Sequence, residues 1–284
     1  MRREPGAVLT EDVTRHRAGV LGAPIAHSLS PVLHRAAYRA LGLDDWHYGA
    51  TEVVAPGLAA HVAGLDASWR GLSLTMPLKE AAFEVASSVS ELARQTSSVN
   101  TLVRTGGGWS ADNTDVHGLV HALADAGVDS VRSAVIIGSG ATARSALVAL
   151  TRLGGKRVTF MVRGAARPAT VAHARAAGLG VEEVPLGKWP PEVELVVSTV
   201  PPAATTPLST SLPEGGRVLL DVVYGEGVTP LMTAAHDKGY AVVPGAEMLL
   251  HQAGEQVRLM TGEPAPLAAM RRALSAALVA PETE

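Results

Sequence analysis

The sequence predicts an α/β protein of two domains, and three observations carry that prediction. The chain has 284 residues, against about 100–200 per domain. Hydrophobic residues make up 47% but aromatic ones only 4%, so the core must be aliphatic, as where Val- and Leu-rich strands pack on alanine-rich helices. Finally, the run Ser133–Ile137 is apolar without alternation and leads directly into Gly138, Ser139 and Gly140. That is the pattern of a strand buried on both faces of a parallel sheet.

In chain order, residues 17–21 read as a short strand closed by Gly22 and Pro24. Ser30 is expected as an N-cap with Pro31 in the first helical turn, and Leu33, Ala36, Ala37, Ala40 and Leu41 recur at helical spacing until Gly42. Residues 71–75 read as a strand broken by Pro77, and residues 80–86 as a helix. Residues 99–104 form another strand, ending in a triple-glycine turn at 106–108. After the strand at 133–137, residues 143–153 read as a helix stopped by Gly154 and Gly155, and Arg157–Val162 as the next strand. This is a βαβ unit. Strands at 194–200 and 217–223 extend the sheet, and residues 248–260 and 267–278 read as closing helices.

Composition narrows the class of function. The net charge of -3 and pI near 6.4 offer no basic field for nucleic acid or an anionic membrane. The chain contains no cysteine, which excludes disulfides, thiolate metal sites and cysteine nucleophiles, and no metal site is expected. Residues 1–20 lack the apolar stretch of a secretory signal, and no apolar window is long enough to span a bilayer. A cytoplasmic protein acting on a small molecule is expected, as a monomer or homodimer.

The segment Gly138, Ser139, Gly140, Ala141, Thr142, Ala143 has the form G-x-G-x-x-A. Its first glycine suits a tight turn, its second admits a pyrophosphate to the backbone, and the following helix offers free N–H groups to that phosphate. A dinucleotide site on a Rossmann-type sheet is the expectation. An NAD site usually carries Asp or Glu at the end of the second strand, but residues 157–181 contain neither. Arg163 and Arg167 stand there instead, two guanidinium groups suited to a 2′-phosphate. NADP is therefore the expected cofactor.

In the first half, Ser28, Ser30, Thr75, Lys79, Asn100 and Asp115 each follow an apolar run. Singly, each has a plain reading as a cap, turn or solvated residue. Together they resemble a family. Residues 22–31, GAPIAHSLSP, are similar to the G-x-P-I-x-H-S-x-S-P opening of shikimate dehydrogenases. Residues 75–79, TMPLK, resemble that family's T-x-P-x-K, residues 99–101 its V-N-T, and residues 112–115 its D-N-T-D. Asp221 and Tyr224 followed by Thr229, Pro230 and Leu231 resemble its D-x-x-Y with T-P-L, and Gly245, Met248 and Gln252 fall where it carries G-x-x-M-L and a Gln.

The resemblance implies reversible NADP-linked reduction of 3-dehydroshikimate to shikimate. It implies that Ser28, Ser30 and Tyr224 hold the substrate carboxylate, that Thr75, Asn100 and Gln252 bond its hydroxyls, and that Lys79 and Asp115 straddle the reacting oxygen. Such an oxidation needs a base within hydrogen-bond reach of the hydroxyl. Lys79 is taken as the proton carrier, while the order in which the coupled pair accepts the proton stays open. Val222, Gly245 and Met248 are implied beside the nicotinamide, and Glu91 matches a family glutamate near the cofactor. By the same resemblance, residues 1–114 form a substrate domain, 115–246 the nucleotide domain, and the helices of 247–284 return to the first.

Two positions depart from the family pattern. Val162, Arg163, Gly164 replaces its Asn-Arg-Thr, and Glu247 stands where a second glycine is common. The rival readings are a quinate/shikimate dehydrogenase using NAD and a non-catalytic ligand-binding regulator of the same fold. Ser28 leaves less room for an extra ring hydroxyl, and the presence of both Lys79 and Asp115 favours turnover.

Overall fold

A computed structural model describes residues 15–225 and 227–279. Residues 1–14 of the stretch read for a signal, and residues 280–284 of the expected returning segment, lie outside the described residues. Among the described residues no helix is long and apolar enough to cross a membrane.

The chain builds two six-stranded sheets. The first contains β1 (His16–Gly22), β2 (Trp46–Glu52), β3 (Trp69–Leu74), β4 (Ser88–Val89), β5 (Thr101–Thr105) and β6 (Gly108–Asp112), in the order β2-β1-β3-β5-β6-β4. β1 runs parallel to β2 and β3, whereas β5 is antiparallel to both β3 and β6. Around it lie α1 (Ser30–Leu41), α2 (Leu58–Ala63), α3 (Leu78–Ala81) and α4 (Glu91–Thr96), and α5 (Asp115–Asp125) leads to the second sheet.

That sheet contains β7 (Ser133–Ile137), β8 (Arg157–Val162), β9 (Gly180–Pro185), β10 (Leu195–Ser198), β11 (Val218–Asp221) and β12 (Ala241–Pro244), all parallel, in the order β12-β11-β10-β7-β8-β9. Its helices are α6 (Ala141–Arg152), α7 (Pro168–Ala176), α8 (Pro202–Thr205) and α9 (Pro230–Asp237); α10 (Gly245–Thr261) and α11 (Leu267–Val279) follow. The order reverses between β7 and β10, the switch point where such sheets open a crevice for a ligand.

Strand periodicity explains the sandwich. Ala134 and Ile136 of β7 pack with α5, α6 and α7, while Val135 and Ile137 pack with α9 on the opposite face. In the first sheet, Ala18 and Val20 of β1 face α1, α10 and α11, and Leu21 faces α2, α3 and α4. Helix α10 serves both halves: Met248 enters the core of the second sheet, whereas Leu249, Leu250, Ala253, Val257 and Met260 enter that of the first. Its crossing with α5 requires Gly118, where a Cβ would lie 2.6 Å from Met248 O and 3.0 Å from Gln252 Cβ. The close approach brings the first turn of α5 beside Gln252.

Several expected elements shift. Ser30 is not an N-cap: it is the first residue of α1, Leu29 occupies the cap position without a side-chain bond, and the Ser28 hydroxyl accepts from Ser30 N–H at 3.4 Å. The expected helix over 80–86 is the single turn α3 followed by a 3₁₀ turn, Ala82–Val85. Helix α6 starts two residues earlier than its apolar periodicity, because Gly140 is its cap.

Candidate active site

The eight polar residues implied for the substrate converge on one cavity of about 160 Å³. Ser28 comes from the loop after β1, Ser30 from the start of α1, Thr75 from the end of β3 and Lys79 from α3. Asn100 lies just before β5, Asp115 opens α5, Tyr224 follows β11 and Gln252 lies on α10. Val222, Gly245, Met248 and Thr142 line the same cavity from the side of the second sheet.

The local sequence explains how Asp115 is held. Asp112 accepts from Ser90 Oγ at 2.6 Å and from Asn113 N–H at 2.8 Å, which fixes the turn out of β6. Asn113 Oδ1 accepts from the Asp115 N–H at 3.0 Å, and its Nδ2 donates to Ser98 O, Thr96 Oγ1 and Ser145 Oγ. Asp115 then presents both oxygens to the site. Oδ1 accepts from Asn100 Nδ2 at 2.7 Å and Oδ2 from Lys79 Nζ at 2.5 Å. The Lys79 and Asp115 side chains are only 16% and 6% exposed, so water screens the pair little. Gln252 Oε1 accepts from Asn100 Nδ2 at 3.3 Å. Burial, then the Asp115 charge, raises the Tyr224 phenol above its ordinary range, so it stays a neutral donor.

A groove of about 460 Å³ opens at the switch point, lined by Gly138, Ser139, Gly140, Arg163, Arg167, Thr199 and Val200 among others. Gly138 has φ +102°, and a Cβ there would lie 2.7 Å from Thr199 Oγ1, so the turn demands glycine. Beside Gly140 there is open space, and no side chain caps α6, leaving its first N–H groups to a ligand. Ser139 Oγ accepts from Arg167 N–H at 3.1 Å, and Ser139 O from Thr170 Oγ1 at 2.8 Å. Arg163 and Arg167 are exposed, and among the described residues neither forms an ion pair.

A third cavity, about 380 Å³, joins these two. It shares Thr75, Lys79 and Thr142 with the first, and Gly140, Arg167 and Thr199 with the groove; Ala141 also lines it. Two residues lie apart. Ala143 is fully buried in the core behind α6 and lines none of the three cavities. Glu91 also lines none, its side chain 74% exposed beside Arg94. The motifs miss Ser73 and Gln256, which line the first cavity. Their signal was positional: Ser73 is two residues before Thr75, and Gln256 one helical turn beyond Gln252.

Away from the cavities, Asp125, Glu247 and His251 bring ligand atoms within 4.8 Å of one another. Arg271 pairs with both carboxylates there, so a protein cation already serves them. Glu247, the departure from the family glycine, therefore joins α10 to α11.

The chain is similar to known proteins. Residues 20–102 match the family model described as shikimate dehydrogenase substrate binding domain, and residues 245–274 match that of the shikimate 5'-dehydrogenase C-terminal domain. The chain is 33% identical over 272 residues to the shikimate dehydrogenase (NADP(+)) of Synechocystis sp., covering 90% of this chain and 93% of that one. The crystal structure of Mycobacterium tuberculosis shikimate dehydrogenase superposes with a TM-score of 0.85 at 42% identity, covering 92% of this chain and 99% of that one. That of the Thermus thermophilus enzyme, in complex with NADP(H) and shikimate, gives 0.82 at 33% identity, over 92% and 99%. The chain belongs to the shikimate dehydrogenase family.

Proposed function

We propose that this protein is an NADP-dependent shikimate dehydrogenase, interconverting 3-dehydroshikimate and shikimate in aromatic precursor biosynthesis. The observation that carries the reading is the line of three connected cavities with Lys79 at the junction between the first and the third.

The second sheet fits a nicotinamide dinucleotide: the Gly138 turn, the open space at Gly140 and the uncapped α6 suit its pyrophosphate, and Arg163 and Arg167 suit a 2′-phosphate. A nicotinamide held there would supply the hydride-accepting and hydride-donating chemistry. The chain supplies the rest. Ser28, Ser30 and Tyr224 are assigned to the substrate carboxylate, and Thr75, Asn100 and Gln252 to its hydroxyls. As the carbinol loses hydride, its O–H proton passes to the Lys79–Asp115 pair; in reduction the Lys79 ammonium polarises the ketone and returns that proton. Val222, Gly245 and Met248 are assigned to the nicotinamide side of the cavity.

Residues 1–114 with 247–284 are proposed as the substrate domain and 115–246 as the nucleotide domain, in a cytoplasmic monomer or homodimer. The test follows reduced-nicotinamide absorbance with shikimate or quinate, and NADP or NAD, for wild type and Lys79→Ala. Wild-type turnover with shikimate and NADP supports the reading. No turnover with any pair refutes it, and a preference for NAD refutes the role of the two arginines.

A further inference from the structure

Below the substrate cavity lies a buried polar chain that the proposed chemistry does not use. Tyr48 of β2, Ser73 of β3, Thr101 of β5 and Gln256 of α10 are all buried, and polar groups there are costly unless bonded. Tyr48 Oη donates to Ser73 Oγ at 2.6 Å, and Ser73 Oγ to Gln256 Oε1 at 2.8 Å. Gln256 Nε2 donates to Thr101 Oγ1 at 3.0 Å, and Thr101 Oγ1 to Asn100 Oδ1 at 2.8 Å. Asn100 Nδ2 completes the path to Asp115 Oδ1.

Main-chain groups fix both amides in this chain. Thr114 N–H donates to Asn100 Oδ1 at 2.7 Å, so the Asn100 NH₂ must face Asp115. Asn100 O accepts from Gln256 Nε2 at 3.1 Å, so Gln256 Oε1 must face Ser73. A main-chain N–H only donates and a carbonyl only accepts, so neither amide satisfies its neighbours when flipped. The hydroxyls then have one direction left, and every donor from Tyr48 onward points towards Asp115. His34, stacked on Tyr48 with ring centroids 3.9 Å apart, closes the far side, its Nε2 3.4 Å from Gln256 Oε1.

We propose that Gln256 is a positioning residue: through Thr101 and the Asn100 carbonyl it holds the Asn100 amide toward Asp115, and through Ser73 it sets the cavity floor. The assignment rests on the dehydrogenase reading above for its kinetic consequence, but not for its geometry. Gln256 orients the group that orients Asp115, and lies outside the Lys79–Asp115 proton pair.

The test compares wild type with Gln256→Met, which removes the amide at similar length, and Gln256→Glu, which keeps an acceptor and loses the donors. In the fraction that folds, kcat/KM for shikimate falls about tenfold or more, while KM for NADP stays within about twofold. Thr101→Val gives a similar loss, and adding it to Gln256→Met costs little more, because both break one path. A merely structural role would lower the yield of active enzyme and leave the kcat/KM for shikimate of the folded fraction unchanged, and that result overturns the proposal. So does full additivity of the two substitutions. A crystal structure of either Gln256 variant decides without turnover: Asn100 displaced from Asp115 supports the proposal, and Asn100 retaining its bonds to Asp115 Oδ1 and Thr114 N–H overturns it. Should wild type fail to oxidise shikimate, the dehydrogenase reading fails, and the variant structure still gives its answer.

Discussion

Arg144 joins the two halves of the molecule in a way that a pair of substitutions measures. It sits on α6 with its side chain only 4% exposed, and its guanidinium reaches across to the first sheet's helices. Nε donates to Thr96 O at 2.7 Å, and Nη2 donates to Ser97 O at 2.9 Å and to Glu80 Oε1 at 2.6 Å. Glu80 is 61% exposed, so water screens its attraction, which contributes less than about 1 kcal/mol. The two carbonyls matter more. Each acceptor deprived of a buried donor costs about 1–3 kcal/mol, partly offset because Arg144→Met no longer desolvates a charge. The net loss is about 2 kcal/mol, or about 4–8 °C in melting temperature. Glu80→Gln should lower it by less than about 3 °C. Because Glu80 lines the third cavity with Gly140, Ala141 and Arg167, Arg144→Met should also raise the KM for NADP. Calorimetric melts of both variants check the asymmetry. Equal losses, or an Arg144→Met melt within about 1 °C of wild type, refute the reasoning.

Lys79→Ala should lower kcat by about 10²–10⁴-fold, as expected for loss of a proton carrier, with the KM for NADP little changed; steady-state rates that fall less than about tenfold argue for another base. Arg163→Ala with Arg167→Ala should raise the KM for NADP about tenfold and leave that for NAD unaffected; an equal rise with both nucleotides means that neither arginine reads the extra phosphate. Acid stability should depend on His34. Burial pushes its imidazole down from 6.5 to about 3 in the folded chain, so between those values the unfolded chain binds the extra proton and stability falls as pH falls. From about pH 7 to about pH 5 this removes about 2 kcal/mol, and His34→Phe should flatten that slope in urea titrations at the two pH values; an unchanged slope refutes the assignment.

The second sheet was legible because its inner strands are buried on both faces. β7, β8 and β10 therefore read as largely apolar runs, with glycines after the first two and prolines after the third. The edges were not. β2 (WHYGATE) buries only Tyr48 of its seven residues, β9 is half-exposed throughout, and the short β12 ends in Pro244, so hydrophobic pattern had little to register. The side chains that line the first cavity were legible through a resemblance in motif order rather than through periodicity. Ser30 shows the limit of local rules: a serine before a helical run suggests a cap, but its pairing with Pro31 places it inside the helix and on the cavity wall. Gln256 was hidden for a different reason. Its meaning lies in Ser73, Thr101 and the Asn100 carbonyl, which only folding brings together.

The sharing of α10 between two cores also makes the first core depend on segments made last. β7 through β12 form a contiguous stretch, so a chain leaving the ribosome has all the strands of that sheet, and the glycine turn at its switch point, before α10 is made. Among the described residues, one face of the first sheet is covered only by the last two helices and α1. Ala18, Val20 and Leu33, made early, find their cover in Leu250, Val257, Met270 and Leu274, made last. The wall of the substrate cavity that carries Gln252 and Gln256 arrives with that cover. A chain interrupted before α10 would lack the wall that Met248, Leu249, Gln252 and Gln256 give the first cavity, so the surroundings of Lys79 and Asp115 are complete only when synthesis has passed that helix.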